Sequence, residues 1–407
     1  MKRRIIHLID NGRMGGREKQ LYLVVRWQSG KPWNEVSVLF QRPYGEAFEW
    51  IRGLPGVKVW ELPKEGDLSP ASMWTCLGLV RGSDLVFLHS PRAVFMVPLL
   101  LVRKPLAYRL SGMQIGPPSF FRFLQKHRSG KRKGRRTGPL PHSTGRPRIR
   151  PGGLWSRRIG RVVRWLLFLW VVRRRADLVL VNSLFLKDLA TREYGVPDCR
   201  MRLVRGFIDP AFEKKRMDSA RPYRKVDRPF TVSFVGRLDP RKRIDRLIDA
   251  LPPLFQQGLC LRVLVAGDGD AGLKEDLVRR TRILGLDGLV EFLGAVENPY
   301  TVLKVTDLFV LPSDNEAFSN AVLEAMFADV PVVLFRNGCG NAEVLRHGKD
   351  AFFVSTVEEL SALIGRLAGE RDTCLKVGRG GRRALYRQRL TPDSQMEQLE
   401  RVVEELA

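Results

Sequence analysis

Two glutamates, Glu316 and Glu324, lie in the part of the sequence best suited to bind a polar ligand. An apolar run predicted as a strand ends at Leu311, a loop carrying Glu316 follows, and a helix is predicted to begin near Ser319. Parallel α/β sheets bind ligands at the carboxyl ends of their strands, and a helix start offers backbone amides without partners. Taken singly, Glu316 is better explained as a solvated loop acid and Glu324 as a surface helix residue. Their combination predicts a site made of Glu316, Glu324 and the amides of Phe318, Ser319 and Asn320.

A second candidate segment follows another predicted strand and carries two cations, Arg237 and Lys242, after Gly236. Two cations five residues apart can bind one diphosphate, because arginine donates in a bidentate manner and lysine acts as a point charge. Such charges also stabilise a departing nucleoside diphosphate without a metal. The plainer interpretation is a basic loop in a basic protein.

Three further segments carry weaker signals. Gly15 and Gly16 follow the first predicted strand, where small residues allow a ligand to approach the backbone. Gly267 opens a Gly-Asp-Gly-Asp segment, which we interpret as a tight turn next to a nucleoside rather than as a metal site. His89 lies just past a predicted strand and is either structural or a base or hydroxyl ligand facing a cleft.

The elements that position these residues alternate between short apolar strands and helices in two successive series. This alternation predicts an α/β fold with two doubly wound parallel sheets. We predict an N-terminal domain over residues 1–215, a linker over 216–229, a C-terminal domain over 230–385 and a final helix over 386–407 that packs back on the N-terminal domain.

The charge is concentrated in the first half of the chain. Residues 1–210 hold 40 of the 70 Lys and Arg but only 14 of the 43 Asp and Glu, so nearly all of the net charge of +27 lies there. Residues 125–153 contain no acid and are predicted to form a mobile basic loop. Residues 154–175 are predicted to form a helix with an aromatic, apolar band between arginines. A basic half attracts a polyanion, either an anionic lipid or a nucleic acid.

The motifs of the C-terminal half, in their order, resemble those of the retaining GT-B glycosyltransferases of the large group that builds lipopolysaccharide, capsule and glycolipids. The segments that carry the resemblance are Phe234–Leu238 with Lys242, Val265–Gly269, Phe292–Gly294, Glu316 and Glu324 with seven residues between them, Pro331–Val333 and Gly340–Val344. The N-terminal half resembles the family only loosely, and residues 204–209 resemble its hinge.

The resemblance implies a nucleoside-diphosphate-sugar donor and a hydroxyl acceptor on a membrane-associated glycan or lipid. Arg237 and Lys242 would hold the diphosphate, Glu316 the donor sugar and Glu324 the ribose, and the anomeric configuration would be retained. No metal or other cofactor is expected. The family's cleft histidine is replaced by Ser111, and glycines common in the family are replaced by Arg243 and Asp329.

The place and partners of the protein follow from the same features. No apolar run reaches the roughly 20 residues that span a bilayer, and five scattered cysteines suit a reducing compartment. We expect a cytoplasmic protein bound peripherally to the anionic inner face of the membrane, with no nucleic-acid partner because no recognition module accompanies the charge. The alternative is a degenerate member that binds a nucleotide-sugar without turnover.

Overall fold

The computed structural model describes residues 2–13, 15–63, 69–110, 162–223, 229–314, 316–336 and 339–406. Within these ranges the chain forms two α/β domains, and every strand pairing is parallel. The predicted fold class is therefore confirmed. The predicted basic loop, Ser111 and the first part of the predicted basic helix lie outside the described residues.

The N-terminal sheet has the strand order β3-β2-β1-β4-β5-β6-β7. Its strands are β1 (Arg3–Asn11), β2 (Asn34–Arg42), β3 (Val57–Glu61), β4 (Leu85–Leu88), β5 (Leu106–Arg109), β6 (Leu178–Val181) and β7 (Met201–Leu203). Its helices are α1 (Gly16–Ser29), α2 (Glu46–Arg52), α3 (Pro70–Arg81), α4 (Ala93–Met96), α5 (Pro98–Leu101), α6 (residues 162–175, the last turn a π helix) and α7 (Leu184–Tyr194).

The C-terminal sheet has the strand order β10-β9-β8-β11-β12-β13. Its strands are β8 (Phe230–Val235), β9 (Leu261–Ala266), β10 (Val290–Gly294), β11 (Leu308–Leu311), β12 (Val332–Phe335) and β13 (Phe352–Val354). The helices of the second half are α8 (Pro210–Ser219), α9 (Ile244–Asp249), α10 (Pro252–Gln256), α11 (Ala271–Ile283), α12 (Tyr300–Leu303), α13 (Asn320–Phe327), α14 (Val357–Gly369), α15 (Arg371–Arg387) and α16 (Pro392–Leu406).

The central strands are short apolar runs because helices cover both faces of each sheet. Every residue of β4, β8, β9, β11 and β12 is buried, as expected for strands that have no solvated face. Strand order reverses between β1 and β4 in one sheet and between β8 and β11 in the other. Such switch points open a crevice at the carboxyl ends of the strands, where ligands bind.

The chain passes between the domains twice. It first crosses after β7, and α8 already packs on helices of the C-terminal domain. The linker predicted over residues 216–229 therefore begins inside a helix, which Asp209 caps by accepting hydrogen bonds from two amides. The final helix, α16, returns to the N-terminal domain, where Met396, Leu399 and Val403 join the core around Ile5.

Helix α6 has one buried and one exposed apolar face. Phe168, Val171 and Val172 are fully buried in the N-terminal core, whereas Leu166 and Trp170 are 50% and 41% exposed. None of the helices in the described part of the chain is both long and apolar enough to cross a bilayer.

Candidate functional site

Glu316 and Lys242 form an ion pair at the carboxyl edge of the C-terminal sheet. Lys242 ends a 3-10 turn that Asp239 caps, and Glu316 lies in the loop between β11 and α13. The Lys242 and Glu316 side chains are 19% and 21% exposed, so both keep some contact with solvent. The structure thus brings together two residues that the sequence places 74 positions apart.

The loops that carry this pair are fastened to each other. The Asp314 amide donates to the Arg241 carbonyl over 2.8 Å, and the Asp314 carboxylate pairs with Arg243 and Arg246. Arg241 also pairs with Asp239, which lowers the Asp239 pKa to about 2. Arg237 is an exposed cation on the same loop as Lys242.

Gly236 and Gly267 lie side by side at the ends of β8 and β9. A Cβ atom on Gly267 would lie 1.8 Å from the Gly236 carbonyl oxygen, and the φ angle of Gly267 is +143°. Only glycine allows this approach without displacing the backbone. The two predicted donor-binding glycines therefore shape the floor of the cleft by packing against each other.

The Asp-x-Asp pattern after β9 has a local explanation. The Asp270 side chain accepts a hydrogen bond from the Leu273 amide and caps helix α11. The Asp268 carbonyl accepts from the Leu238 amide. These contacts agree with the interpretation of the segment as a turn.

One of the three predicted backbone amides is not free. The Ser319 amide donates to Oδ1 of Asn341 over 2.6 Å, and the Asn341 side chain is fully buried. The prediction for Ser319 is corrected, because a buried side-chain amide already accepts its hydrogen bond. The amides of Phe318 and Asn320 remain candidates for a ligand.

Glu324 lies in a buried cluster of four charges at the interface of the two domains. Its Oε1 atom is 2.6 Å from Lys19 Nζ of α1 and 3.3 Å from Arg216 of α8, and Glu213 is 2.6 Å from Lys19. The interpretation of Glu324 as a surface helix residue is wrong, since only 7% of it is exposed. Both cations contact the same oxygen, Oε1.

The start of α1 lies directly against the start of α13. The Asn320 side-chain amide donates to the Gly16 carbonyl over 2.7 Å, and a Cβ atom on Gly16 would lie 2.9 Å from that amide nitrogen. Gly15 precedes it as the N-cap of α1. Gly16 therefore leaves room for the Asn320 side chain to reach the backbone of the other domain, whereas a Cβ atom on Gly15 would meet only the Glu18 carboxylate of its own helix.

His89 is at the end of β4, as predicted, but its ring does not face the cleft. The residue is 1% exposed, its Nε2 atom is 2.9 Å from Nδ1 of His7, and burial holds its pKa well below the usual value. The cleft position expected for His89 is corrected, because the ring packs inward against His7 and Phe87. Next to it, Asp10 pairs with Arg17 and Arg92.

Residues 229–370, which contain Glu316, Glu324, Arg237 and Lys242, match the family model described as Glycosyl transferases group 1. The C-terminal domain is therefore similar to the group 1 glycosyltransferases. An exopolysaccharide phosphotransferase of Streptomyces coelicolor is 35% identical to this chain over 143 residues, which cover 34% of this chain and 15% of that protein.

A GDP-mannose-dependent phosphatidylinositol monomannoside mannosyltransferase of Mycobacterium tuberculosis is 29% identical over 185 residues, 43% of this chain and 46% of that protein. This chain thus spans less than half the length of these two curated relatives. The sequence likeness is confined to part of each protein.

Solved structures extend the likeness to the whole fold. HepE of Anabaena, in complex with UDP and glucose, has a TM-score of 0.73 and 20% identity, covering 99% of this chain and 100% of that one. WaaG, a glycosyltransferase involved in lipopolysaccharide biosynthesis, has a TM-score of 0.68 and 14% identity, covering 97% and 98%. The chain therefore has the GT-B fold.

Several residues of the site were missed by sequence reasoning. Lys19, Glu213 and Arg216 come from helices far apart in sequence, and no local pattern indicates that they meet. Asn341 lies within the Gly340–Val344 motif, which the sequence already indicated. The sequence did not indicate the contact of Asn341 with the Ser319 amide.

Proposed function

We propose that this protein is a retaining glycosyltransferase that moves a hexose-type sugar from a nucleoside-diphosphate-sugar to a hydroxyl of a membrane-associated glycan or lipid. The observation that carries the proposal is the partly exposed Glu316–Lys242 pair, with the exposed Arg237 on the same loop as Lys242, within the segment that matches the family model. The Anabaena structure, whose description includes UDP and glucose, supports a nucleotide-sugar donor.

In this proposal the two cations hold the donor diphosphate. Arg237 and Lys242 neutralise the charge that develops on the leaving nucleoside diphosphate, which is the role a metal has in other transferases. Glu316 would exchange its contact with Lys242 for hydroxyls of the donor sugar. Glu324 would accept from a ribose hydroxyl, and the Phe318 and Asn320 amides would bind the sugar or a phosphate.

Retention requires the acceptor to approach the face from which the diphosphate departs. A leaving phosphate oxygen on that face takes the proton of the acceptor hydroxyl, so no protein base has to lie there. This route fits the inward position of His89, whose ring is buried. Proton NMR of the first product would test it, because an inverted anomeric configuration would exclude this route.

Donor binding is tested by thermal-shift screening of UDP- and GDP-hexoses, since a ligand of the folded state raises the melting temperature. We expect at least one donor to stabilise the wild type and to lose most of this effect in Lys242→Met. Lys376→Met, an exposed helix position of the same domain, is the matched control. Equal stabilisation of both variants would refute the assignment of Lys242.

We also propose that the N-terminal domain binds the anionic inner face of the membrane. The exposed face of α6 carries Val163, Leu166 and Trp170, and Leu101 of α5 is 68% exposed. Arg175, at the end of α6, donates to carbonyls of residues 99, 102 and 104, which holds the two helices together. An apolar face next to a basic sequence suits an interfacial helix.

Vesicle sedimentation tests this membrane contact. We expect binding to anionic vesicles at low salt, little binding to neutral vesicles, and a loss of several-fold in Leu101→Ser with Trp170→Ser. Ile283→Ser, which removes a residue that is 77% exposed on the C-terminal domain, serves as the control. Equal binding to neutral and anionic vesicles would contradict the proposal.

A further inference from the structure

Arg109 is a buried arginine at the carboxyl edge of the N-terminal sheet. It is the last residue of β5, at the switch-point side of the domain, and only 9% of it is exposed. Burial lowers the pKa of its guanidinium to about 10. Among the described residues, none accepts a hydrogen bond from it or forms an ion pair with it.

Other arginines with little exposure show what a structural arginine looks like in this protein. Arg175 donates to three carbonyl oxygens and lies 3.7 Å from Asp177. Arg262 pairs with Glu291 over 2.7 Å, and Arg216 pairs with two glutamates. A buried charge without a partner is costly, so Arg109 stands apart from these neutralised arginines.

A second unsatisfied group lies beside Arg109. Leu88 and Tyr108 are partners in the strand register, which places His89 and Arg109 next to each other at the ends of β4 and β5. The buried Nδ1 atom of His89 has no hydrogen-bond partner. Since Gln28 Oε1 accepts from His7, and His7 in turn accepts from His89 Nε2, the free Nδ1 atom is an acceptor.

We propose that Arg109 binds an anionic group of the acceptor, a phosphate or carboxylate on a sugar. A guanidinium that has no partner among the described residues matches a phosphate or carboxylate, which arginine binds through two parallel hydrogen bonds. The acceptor is favoured over the donor because Arg237 and Lys242 already serve the donor diphosphate on the opposite domain. This inference rests on the proposed function.

Calorimetric titration of the full-length protein, saturated with UDP so that the donor diphosphate site is filled, tests the proposal. The probes are glucose 6-phosphate, glucuronate and methyl glucoside. We expect an anionic probe to bind and the neutral glucoside to bind at least tenfold more weakly. Arg109→Met should weaken the binding of the anionic probe by about tenfold or more. The exposed Arg174→Gln should leave this binding unchanged. Equal binding of charged and neutral probes would overturn it.

Stability gives an independent readout. Because Arg109 lacks a partner, Arg109→Met should keep or raise the melting temperature, whereas Arg175→Met should lower it. A loss of stability in Arg109→Met as large as that in Arg175→Met would show a structural role and overturn the proposal. Weaker UDP binding by Arg109→Met would assign the residue to the donor and also overturn it. Failure of the wild type to bind either UDP or GDP would instead count against the proposed function.

Discussion

Two residues in the left-handed backbone region account for the two glycine replacements seen in the sequence. Arg243 has φ +49° and Asp329 has φ +58°, a region in which residues other than glycine are strained. Arg243 is held there by Asp245 and Asp314, and Asp329 pairs with Arg382. The sequence shows that these two glycines are replaced, but only the backbone angles show that the replacements strain the backbone.

Substituting Asp329 tests this strain. Asp329→Gly and Asp329→Ala both lose the half-exposed ion pair with Arg382, which is worth little in any case. Only glycine relieves the positive φ, so the glycine variant should be about 1 kcal/mol more stable than the alanine variant. Urea unfolding of the C-terminal domain measures the difference, and equal midpoints would show that the angle is unstrained.

The buried histidine pair predicts how stability depends on pH. Burial lowers the pKa of His7 to about 4, below the value of about 6.5 in the unfolded chain. As the pH falls, the unfolded state therefore takes up the proton first. The free energy of unfolding keeps its full value above pH 6.5 and decreases as the pH falls towards 4. The loss reaches roughly 3 kcal/mol. Urea midpoints at pH 7.0 and 5.5 should differ less in His7→Gln than in the wild type.

The exposed His347 supplies the control for this prediction. Its pKa is also lowered by burial, but the residue lies at the surface. His347→Gln should therefore leave the pH dependence close to that of the wild type. If the urea midpoint of His7→Gln changed with pH as much as that of the wild type, the pH dependence could not be assigned to the buried histidine pair.

At the scale of elements, the strands and the helix starts were predictable because they depend on local sequence. The apolar runs before Gly236 and Gly267, and the helix start near Ser319, follow from composition and turn residues alone. Partners distant in sequence were not predictable. Asn341 binds the Ser319 amide, and Lys19 reaches Glu324 from the other domain, through packing that no local pattern records.

Two helical glycines provide an element-scale prediction. A Cβ atom on Gly378, in α15, would lie 1.9 Å from the Asp329 carbonyl oxygen, whereas one on Gly78, in α3, would meet nothing within 4 Å. Gly378→Ala should destabilise by about 2 kcal/mol through overpacking. Gly78→Ala should stabilise by up to ~1 kcal/mol, since alanine favours helices. Melting temperatures that shift in the same direction would contradict the close packing of α15.

At the scale of the whole molecule, the two domains are joined by charge as well as by the chain. Lys19 of the N-terminal domain lies between Glu213 and Glu324, and its side chain is only 6% exposed. The final helix adds an apolar contact by returning to the N-terminal core. The general α/β architecture could be predicted from the alternation of strands and helices. The contacts that join the two domains could not, because their residues meet only in the folded protein.

Removing the Lys19 charge should loosen the closed arrangement. Lys19→Met leaves two buried glutamates with one cation, and losing a partner of a buried pair costs about 3 kcal/mol. We expect a lower melting temperature and a larger radius of gyration in small-angle scattering. Adding Glu324→Gln should restore part of the loss, because contacting residues are coupled. Unchanged scattering and melting would show that the cluster does not hold the domains.

The most direct test of the account is the turnover of labelled UDP- and GDP-hexoses with membrane lipid as the acceptor source. The wild type should transfer sugar from at least one donor, and Glu316→Gln should reduce the rate by about 100-fold, while Lys376→Met leaves it unchanged. Binding without turnover by the wild type would favour a nucleotide-sugar-binding protein over an enzyme. Unchanged turnover by Glu316→Gln would contradict the site itself.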